Sequence, residues 1–67
     1  MTFRDVLQKA KEHGFTHYWD GGTIETPIDE VLEWGGLNKE GYKFRNMGHG
    51  TTDIVRGKNN EHIGTVG

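Results

Sequence analysis

The sequence predicts an α+β domain in which two helices pack on one face of an antiparallel sheet. Three observations support this: an apolar stripe at helical spacing near the start of the chain, a proline-led helix start in its middle, and alternating apolar and polar residues in its last third. The predicted element order is α-β-β-α-β-β-β. With 67 residues and no cysteine, the chain has the length of one domain, residues 1–67, without a disulfide.

The first helix is predicted to begin after Thr2 and to end before Gly14. Thr2 can cap the helix, and Asp5 stands at its third position, as in a capping box with aspartate in place of glutamate. The apolar residues that follow at helical spacing are Phe3, Val6, Leu7 and Ala10. They should form the buried face, and Gly14 should end the helix in a left-handed conformation.

Residues 15–25 are predicted to form a β-hairpin. Aromatic residues between Phe15 and Trp19 precede Gly21 and Gly22, which can adopt the positive φ that a two-residue hairpin turn requires. With that turn, Trp19 would lie opposite Ile24 on the second strand.

The second helix is predicted to have Thr26 as its cap and Pro27 at its first helical position. Its apolar stripe consists of Ile28, Val31 and Leu32. Gly35 and Gly36 should end it after about two to three turns. At 100° per residue, Trp34 lies about 110° from the centre of the stripe, on the flank of the buried face.

Three antiparallel strands are predicted at residues 42–47, 51–56 and 61–66. When the strands are paired according to the lengths of their turns, two neighbouring rows of side chains lie on one face of the sheet. The apolar row consists of Phe44, Ile54 and Ile63, and the second row of Tyr42, Arg56 and Glu61. The opposite face would present Met47, Val55 and Val66 beside Lys43, Arg45 and His62. That outer face could serve a homodimer or another partner.

Charge is unevenly divided along the chain. Residues 1–36 carry seven acids and three bases, whereas residues 37–67 carry three acids and five bases. The stretch from Asp20 to Glu33 contains five acids and no lysine or arginine. Such asymmetry favours electrostatic steering of a partner, although small domains also show it by chance.

Four histidines raise the question of a metal site. His13 and His17 have the spacing of two helical ligands, but Gly14 ends the helix between them. A second set could converge in the last three strands: His49, Asp53 and His62. No zinc-binding signature is present, so no metal is expected.

A catalytic site is not expected either. Residues 48–53 combine an imidazole, two hydroxyls and a carboxylate in one glycine-rich stretch. Glycines at a hairpin tip follow from turn geometry alone, and so small a domain offers little shelter from water. Phosphate-binding glycine motifs are absent, and we expect no cofactor.

Nucleic-acid binding is the alternative function. Basic residues alternate with aromatic ones in the second half of the chain, as in sheets that bind single strands. The basic residues are Lys39, Lys43, Arg45, Arg56 and Lys58. The predicted pairing gives Arg45 and Arg56 acidic partners across the strands, and the chain is anionic overall, so binding should be weak and sensitive to salt.

The acidic segment around Trp34 is the stronger candidate for a binding site. An exposed tryptophan with polar neighbours is typical of an interface anchor, whereas the alternative is that Trp34 covers the edge of a small core. The predicted partner-binding residues are Trp34, Glu30, Glu33, Asp29 and Asp20. Together they favour a protein partner with a basic surface.

The sequence therefore predicts a small non-enzymatic protein-binding module. We expect an inhibitor or adaptor acting on a larger protein, for which a nucleic-acid-handling enzyme with a basic groove is one candidate. Its size and composition are similar to those of the compact accessory proteins of viruses and mobile elements. No apolar run is long enough for a membrane span or a signal peptide, and the lack of cysteine fits a cytoplasmic location.

Overall fold

The computed structural model describes residues 1–22, 24–46 and 50–67. In these residues the elements are α1 (Phe3–Glu12), β1 (His17–Trp19), β2 (Glu25–Pro27), α2 (Ile28–Val31), β3 (Tyr42–Arg45), β4 (Thr52–Arg56) and β5 (Glu61–Val66). The strands form one antiparallel sheet in the order β2-β1-β5-β4-β3. The predicted α+β class and element order are confirmed. Neither helix in this part of the chain has the length and apolar composition that crossing a membrane requires.

Helix α1 has the predicted ends and the predicted buried face. The Thr2 hydroxyl accepts the Asp5 N–H at 3.0 Å, and an Asp5 carboxylate oxygen accepts the Thr2 N–H at 3.1 Å, which completes the capping box. Gly14 follows the last turn with a φ of 90°. The helix packs its apolar face on the sheet, and that core consists of Phe3, Val6, Leu7, Ala10, Tyr18, Ile28, Val31, Leu37, Ile54 and Val66.

Helix α2 is shorter than predicted and starts later. Thr26 is paired with Tyr18 in the sheet, so it extends β2 instead of capping a helix, and Pro27 takes the N-cap position. The helix begins at Ile28, whose N–H donates to the Thr16 carbonyl at 2.9 Å. Beyond Val31 the chain continues in tighter i→i+3 turns, as the 2.9 Å bond from the Trp34 N–H to the Val31 carbonyl shows. Trp34 therefore follows the helix and does not belong to it.

The predicted two-residue turn between β1 and β2 is wrong. Trp19 pairs with Glu25 and not with Ile24, so the connection runs from Asp20 to Ile24. An Asp20 carboxylate oxygen accepts the Gly22 N–H at 3.0 Å, which forms an Asx turn that competes with the tight hairpin. This longer connection leaves Ile24 outside the sheet.

The predicted pairing of the last three strands is correct on one side and shifted on the other. The pairs Phe44–Ile54 and Arg56–Glu61 occur as predicted, and Tyr42 lies opposite Arg56. Ile54, however, lies opposite Gly64, because a β-bulge between the Ile54 and Val55 pairs inserts Ile63 as an extra residue.

The bulge also changes the face on which the end of β5 lies. Val66 pairs with Thr52 and Tyr18 on the helix side, where it is fully buried, so its predicted place on the outer face is wrong. Val55 remains on the outer face but is fully buried. Met47 lies outside the described residues. Neither Val55 nor Val66 therefore contributes exposed apolar surface to the outer face.

A groove beside the edge strand as candidate binding site

A groove of about 410 Å³ opens at the β2 edge of the sheet, on the face that carries the helices. Its lining consists of Tyr18, Asp20, Gly22, Ile24, Thr26 and Trp34. Two of these side chains are large, apolar and unusually exposed, Trp34 at 49% and Ile24 at 75%. Exposed apolar groups that converge on one concave surface are typical of an interaction site.

Tyr18 closes the inner side of the groove. Its side chain is 6% exposed and packs edge-on against Phe3, with ring centroids 5.5 Å apart and an angle of 78° between the planes. The hydroxyl donates to the Ile63 carbonyl at 3.4 Å. Burial, together with the nearby Asp20 carboxylate, raises the pKa of the Tyr18 hydroxyl, which therefore stays neutral and acts as a donor.

Gly64 makes room for this tyrosine. A Cβ added at Gly64 would lie 2.5 Å from the Tyr18 hydroxyl oxygen and 2.7 Å from the Trp19 carbonyl oxygen. Because the bulge at Ile63 sets which residue of β5 lies beneath the ring, it is the bulge that places a glycine there. The position of Tyr18, and with it the inner wall of the groove, depends on the missing side chain.

The loop side of the groove is fixed by hydrogen bonds on both sides of Gly22. The Asp20 carboxylate accepts the Gly22 N–H at 3.0 Å, and the Trp19 indole N–H donates to the Gly22 carbonyl. Trp19 itself points to the opposite face of the sheet, where it is paired with Thr65. These two bonds hold Asp20 and Gly22 in place before any partner binds, which lowers the entropy cost of binding.

The backbone at Trp34 is held in place by the segment that precedes it. Ile28 and Val31 are buried and secure α2 on the sheet. The Arg4 guanidinium donates to the Leu32 carbonyl at 3.1 Å, which ties the turn after α2 to α1. The indole nevertheless remains half-exposed, which favours the interface interpretation of Trp34 over a covering role for the core.

The structure brings together only two of the five predicted partner-binding residues, Trp34 and Asp20. Asp29 forms an ion pair with Lys11, so its charge is partly offset. Glu30 and Glu33 are exposed outside the groove lining, and the described part of the chain offers them no ion-pair partner. They add negative charge to the segment that contains Trp34.

The sequence interpretation missed four lining residues: Tyr18, Gly22, Ile24 and Thr26. Ile24 gave a signal, because it is an isolated apolar residue in a polar stretch, but the assumed turn assigned it to a strand pair with Trp19. Thr26 was assigned to a helix cap. Both errors have the same cause, which is the length of the connection between β1 and β2.

The five basic residues of the alternative site do not gather on one surface. Lys43 and Arg45 lie on the outer face, where Arg45 approaches Asp53 at 3.9 Å. Arg56 lies over the Tyr42 ring at 5.3 Å on the helix side, and its Nε donates to the Glu40 carbonyl at 2.9 Å. The remaining two, Lys39 and Lys58, lie in connections between elements.

Asp53 is the centre of a polar cluster on the outer face. Its carboxylate lies 3.7 Å from His62 Nε2 and accepts the Thr65 hydroxyl at 3.3 Å and the Asn46 amide at 3.4 Å. His49, the third residue of the predicted convergence, lies outside the described residues, as does part of the stretch 48–53. Among residues 1–22, 24–46 and 50–67, no group of three or more histidine or carboxylate side chains is arranged to hold a metal ion.

A second cavity, of about 280 Å³, lies on the other side of β1. Its lining consists of Thr16, His17, Trp19, Glu25, Thr51, Thr65 and Gly67. Most of these groups are small and polar, and the Trp19 indole N–H already has a partner in the loop. This cavity lacks the pair of exposed apolar side chains that distinguishes the groove.

Comparison of the chain with protein-family models, with curated proteins and with solved structures gave no match. The comparisons therefore supply no residue roles that could be transferred to the groove. Its chemistry follows from its own side chains: two exposed apolar groups, one carboxylate and one threonine hydroxyl, around a buried tyrosine.

Proposed function

We propose that this protein is a non-enzymatic protein-binding module and that its partner docks on the groove between Trp34 and Ile24. The observation that carries the proposal is the convergence of these two exposed side chains on one groove. Placing a large aromatic side chain in contact with water is unfavourable unless a partner covers it, and tryptophan is prominent among residues that dominate interface energies.

The charge around the groove indicates the character of the partner. Between Glu12 and Asn38 the chain contains no lysine or arginine. With Asp29 paired to Lys11, the remaining acids of this segment are Asp20, Glu30 and Glu33, apart from Glu25, which lines the second cavity on the other side of β1. A partner with a basic surface is favoured, because complementary charge raises the rate of association and disfavours other partners.

We expect the partner to dock through side-chain contacts and not by adding a strand to the β2 edge. Strand β2 lies at the edge of the sheet but has only three residues, and Pro27 has no N–H to offer an added strand. The apolar contact at Trp34 and Ile24 would supply the stability of the complex, and the acids would supply its salt dependence.

We further propose that the protein acts as an inhibitor or adaptor in the cytoplasm, of the kind that viruses and mobile elements use. The size of the domain and its acidic surface support a target such as a nucleic-acid-handling enzyme, whose basic groove could receive the acidic side of this domain. The alternative, direct nucleic-acid binding, has less support because the basic residues are dispersed over both faces of the sheet and its connections.

The experiment is a capture of binding proteins from cell extract on the immobilised parent chain, with the bare matrix as the reference. A protein retained only on the immobilised chain is then purified and titrated against the parent and the Trp34→Ala chains. We expect Trp34→Ala to weaken binding by about 2 kcal/mol or more, which is roughly 30-fold. The double variant Glu30→Lys/Glu33→Lys should mainly slow association.

A charge-matched control is Glu12→Lys/Glu61→Lys, which alters two exposed acids outside the segment that forms the groove. It should bind like the parent chain, and circular dichroism verifies that every variant is folded. Equal binding by the parent, Trp34→Ala and Glu30→Lys/Glu33→Lys chains would exclude this surface. A second copy of this chain on the groove would instead appear as a concentration-dependent dimer that Trp34→Ala abolishes.

A further inference from the structure

We infer that the groove receives an arginine side chain of the partner, with its guanidinium on the Trp34 indole and directed to the Asp20 carboxylate. The inference rests on the proposed function and assigns Asp20 as the residue that determines specificity. Asp20 is the one charged residue among the described residues that line the groove, and it stands beside the apolar groups Trp34 and Ile24.

Asp20 has a carboxylate oxygen to offer. Its Oδ1 accepts the Gly22 N–H at 3.0 Å, whereas no hydrogen bond to Oδ2 occurs within the described residues. The bond to Gly22 also fixes the position of the carboxylate, so the partner does not have to order it. A guanidinium that donates to a carboxylate forms a charge-assisted hydrogen bond, which is about twice as strong as a neutral one.

No lysine or arginine occurs among the described residues that line the groove, and two basic residues of α1 are engaged elsewhere. Lys11 pairs with Asp29, and the Arg4 guanidinium donates to the Leu32 carbonyl. The positive charge that the groove favours must therefore come from the partner.

The apolar lining selects the side chain that carries this charge. The half-exposed Trp34 indole offers a π face, on which a cation is stabilised, most often a guanidinium. Arginine can stack on that face while its planar N–H groups reach a carboxylate, whereas a lysine ammonium is a compact and strongly hydrated charge. Ile24 can contact an aliphatic neighbour of the arginine. A short segment with arginine between aliphatic residues thus matches the groove.

The test uses the tripeptide acetyl-Leu-Arg-Leu-amide and the matched peptide in which citrulline, an uncharged analogue of arginine, replaces arginine. Nuclear magnetic resonance follows the Trp34 and Trp19 indole N–H signals and the backbone amides of Asp20, Gly22 and Ile24 in one titration. We expect the arginine peptide to shift the Trp34 signal and these amides, to leave the Lys43 and His62 amides unshifted, and to bind about tenfold more tightly than the citrulline peptide.

Two variants separate the contribution of the Asp20 carboxylate from that of the Trp34 indole. Asp20→Asn can keep the turn, because an asparagine oxygen can accept the Gly22 N–H, and it should remove most of the preference for arginine over citrulline. Trp34→Leu keeps an apolar wall without a π face and should reduce that preference as well. Equal binding of the two peptides to the parent chain, or shifts centred on Lys43 and His62, would overturn the inference.

The two experiments distinguish a failure of the arginine assignment from a failure of the proposed function. If a captured protein requires Trp34 but the tripeptides bind equally, the docking surface stands and the arginine assignment is wrong. If neither the captured proteins nor the arginine peptide depend on Trp34, both are wrong.

Discussion

Replacing Gly64 by alanine tests how the fold positions the groove. The added Cβ would lie 2.6 Å from Tyr18 Cε1 and 2.7 Å from the Trp19 carbonyl oxygen. Carbon atoms in contact normally stay about 3.5–4.0 Å apart, so the ring must move by roughly 1 Å. Rotating the Tyr18 side chain relieves only part of the overlap, because the Trp19 oxygen belongs to the backbone of β1.

We therefore expect a destabilisation of about 2–3 kcal/mol, at the upper end of the usual cost of overpacking. A chain of this length should have a total stability of about 3–10 kcal/mol, so the loss would be a large fraction of it. The melting temperature should fall by roughly 10–20 °C. Urea unfolding followed by far-ultraviolet circular dichroism measures the change in the free energy of unfolding.

The matched control is Gly35→Ala. An added Cβ at Gly35 meets no atom within 4 Å, and the backbone there is not in the left-handed region. This variant should stay within about 0.5 kcal/mol of the parent chain, as surface substitutions usually do. If Gly64→Ala were equally neutral, the packing of Tyr18 over β5, and the argument that the bulge places a glycine beneath it, would be refuted.

Three further outcomes are expected. The parent chain should lose stability above about pH 10, because burial raises the pKa of the Tyr18 hydroxyl and the unfolded chain releases that proton first; Tyr18→Phe should abolish this loss. Urea midpoints at pH 8 and 10.5 measure the change, and an equal change in midpoint for both chains would contradict it. The Thr2 N–H and hydroxyl lower the pKa of the Asp5 carboxyl, so the ionised carboxylate stabilises the folded chain above about pH 4, and this stability is lost as the pH falls further. Asp5→Asn should remove that contribution, and acid unfolding curves of both chains measure the difference. Single-stranded DNA should bind no more tightly than about micromolar at physiological salt, with a shallow salt dependence by fluorescence anisotropy, and a tight complex lost in Lys43→Glu/Lys58→Glu would favour the alternative function.

Much of the fold could be predicted because short-range signals agreed with one another. The capping box at Thr2 and Asp5 and the apolar face of α1 are local features, and the structure has both. The pairs Phe44–Ile54 and Arg56–Glu61 followed from alternation and turn length. In each case the deciding residues are close together in the sequence.

The errors arose where a distant contact decides the local structure. Thr26 has the composition of a helix cap, but its pairing with Tyr18 keeps it in a strand. Ile63 looks like a regular member of an apolar row, but it forms the bulge that brings Gly64 beneath the Tyr18 ring. The antiparallel pairing of β1 with β5 joins distant parts of the chain, and no local pattern indicates it.

The candidate site was predicted in part for the same reason. Trp34 and Asp20 were singled out by residue type and charge, and both line the groove. Ile24 joins them only because the connection between β1 and β2 is longer than a two-residue turn. Asp29 was included, but its ion pair with Lys11 depends on how α1 and α2 are placed relative to each other.

We propose that a partner docks on the helix-side groove and not on the outer face of the sheet. Amide chemical-shift mapping of the isotope-labelled chain, titrated with the purified partner from the capture experiment, tests it most directly. We expect the largest shifts at Asp20, Ile24 and Trp34. Shifts centred on Lys43, Asp53 and His62, with those at the groove unchanged, would contradict it.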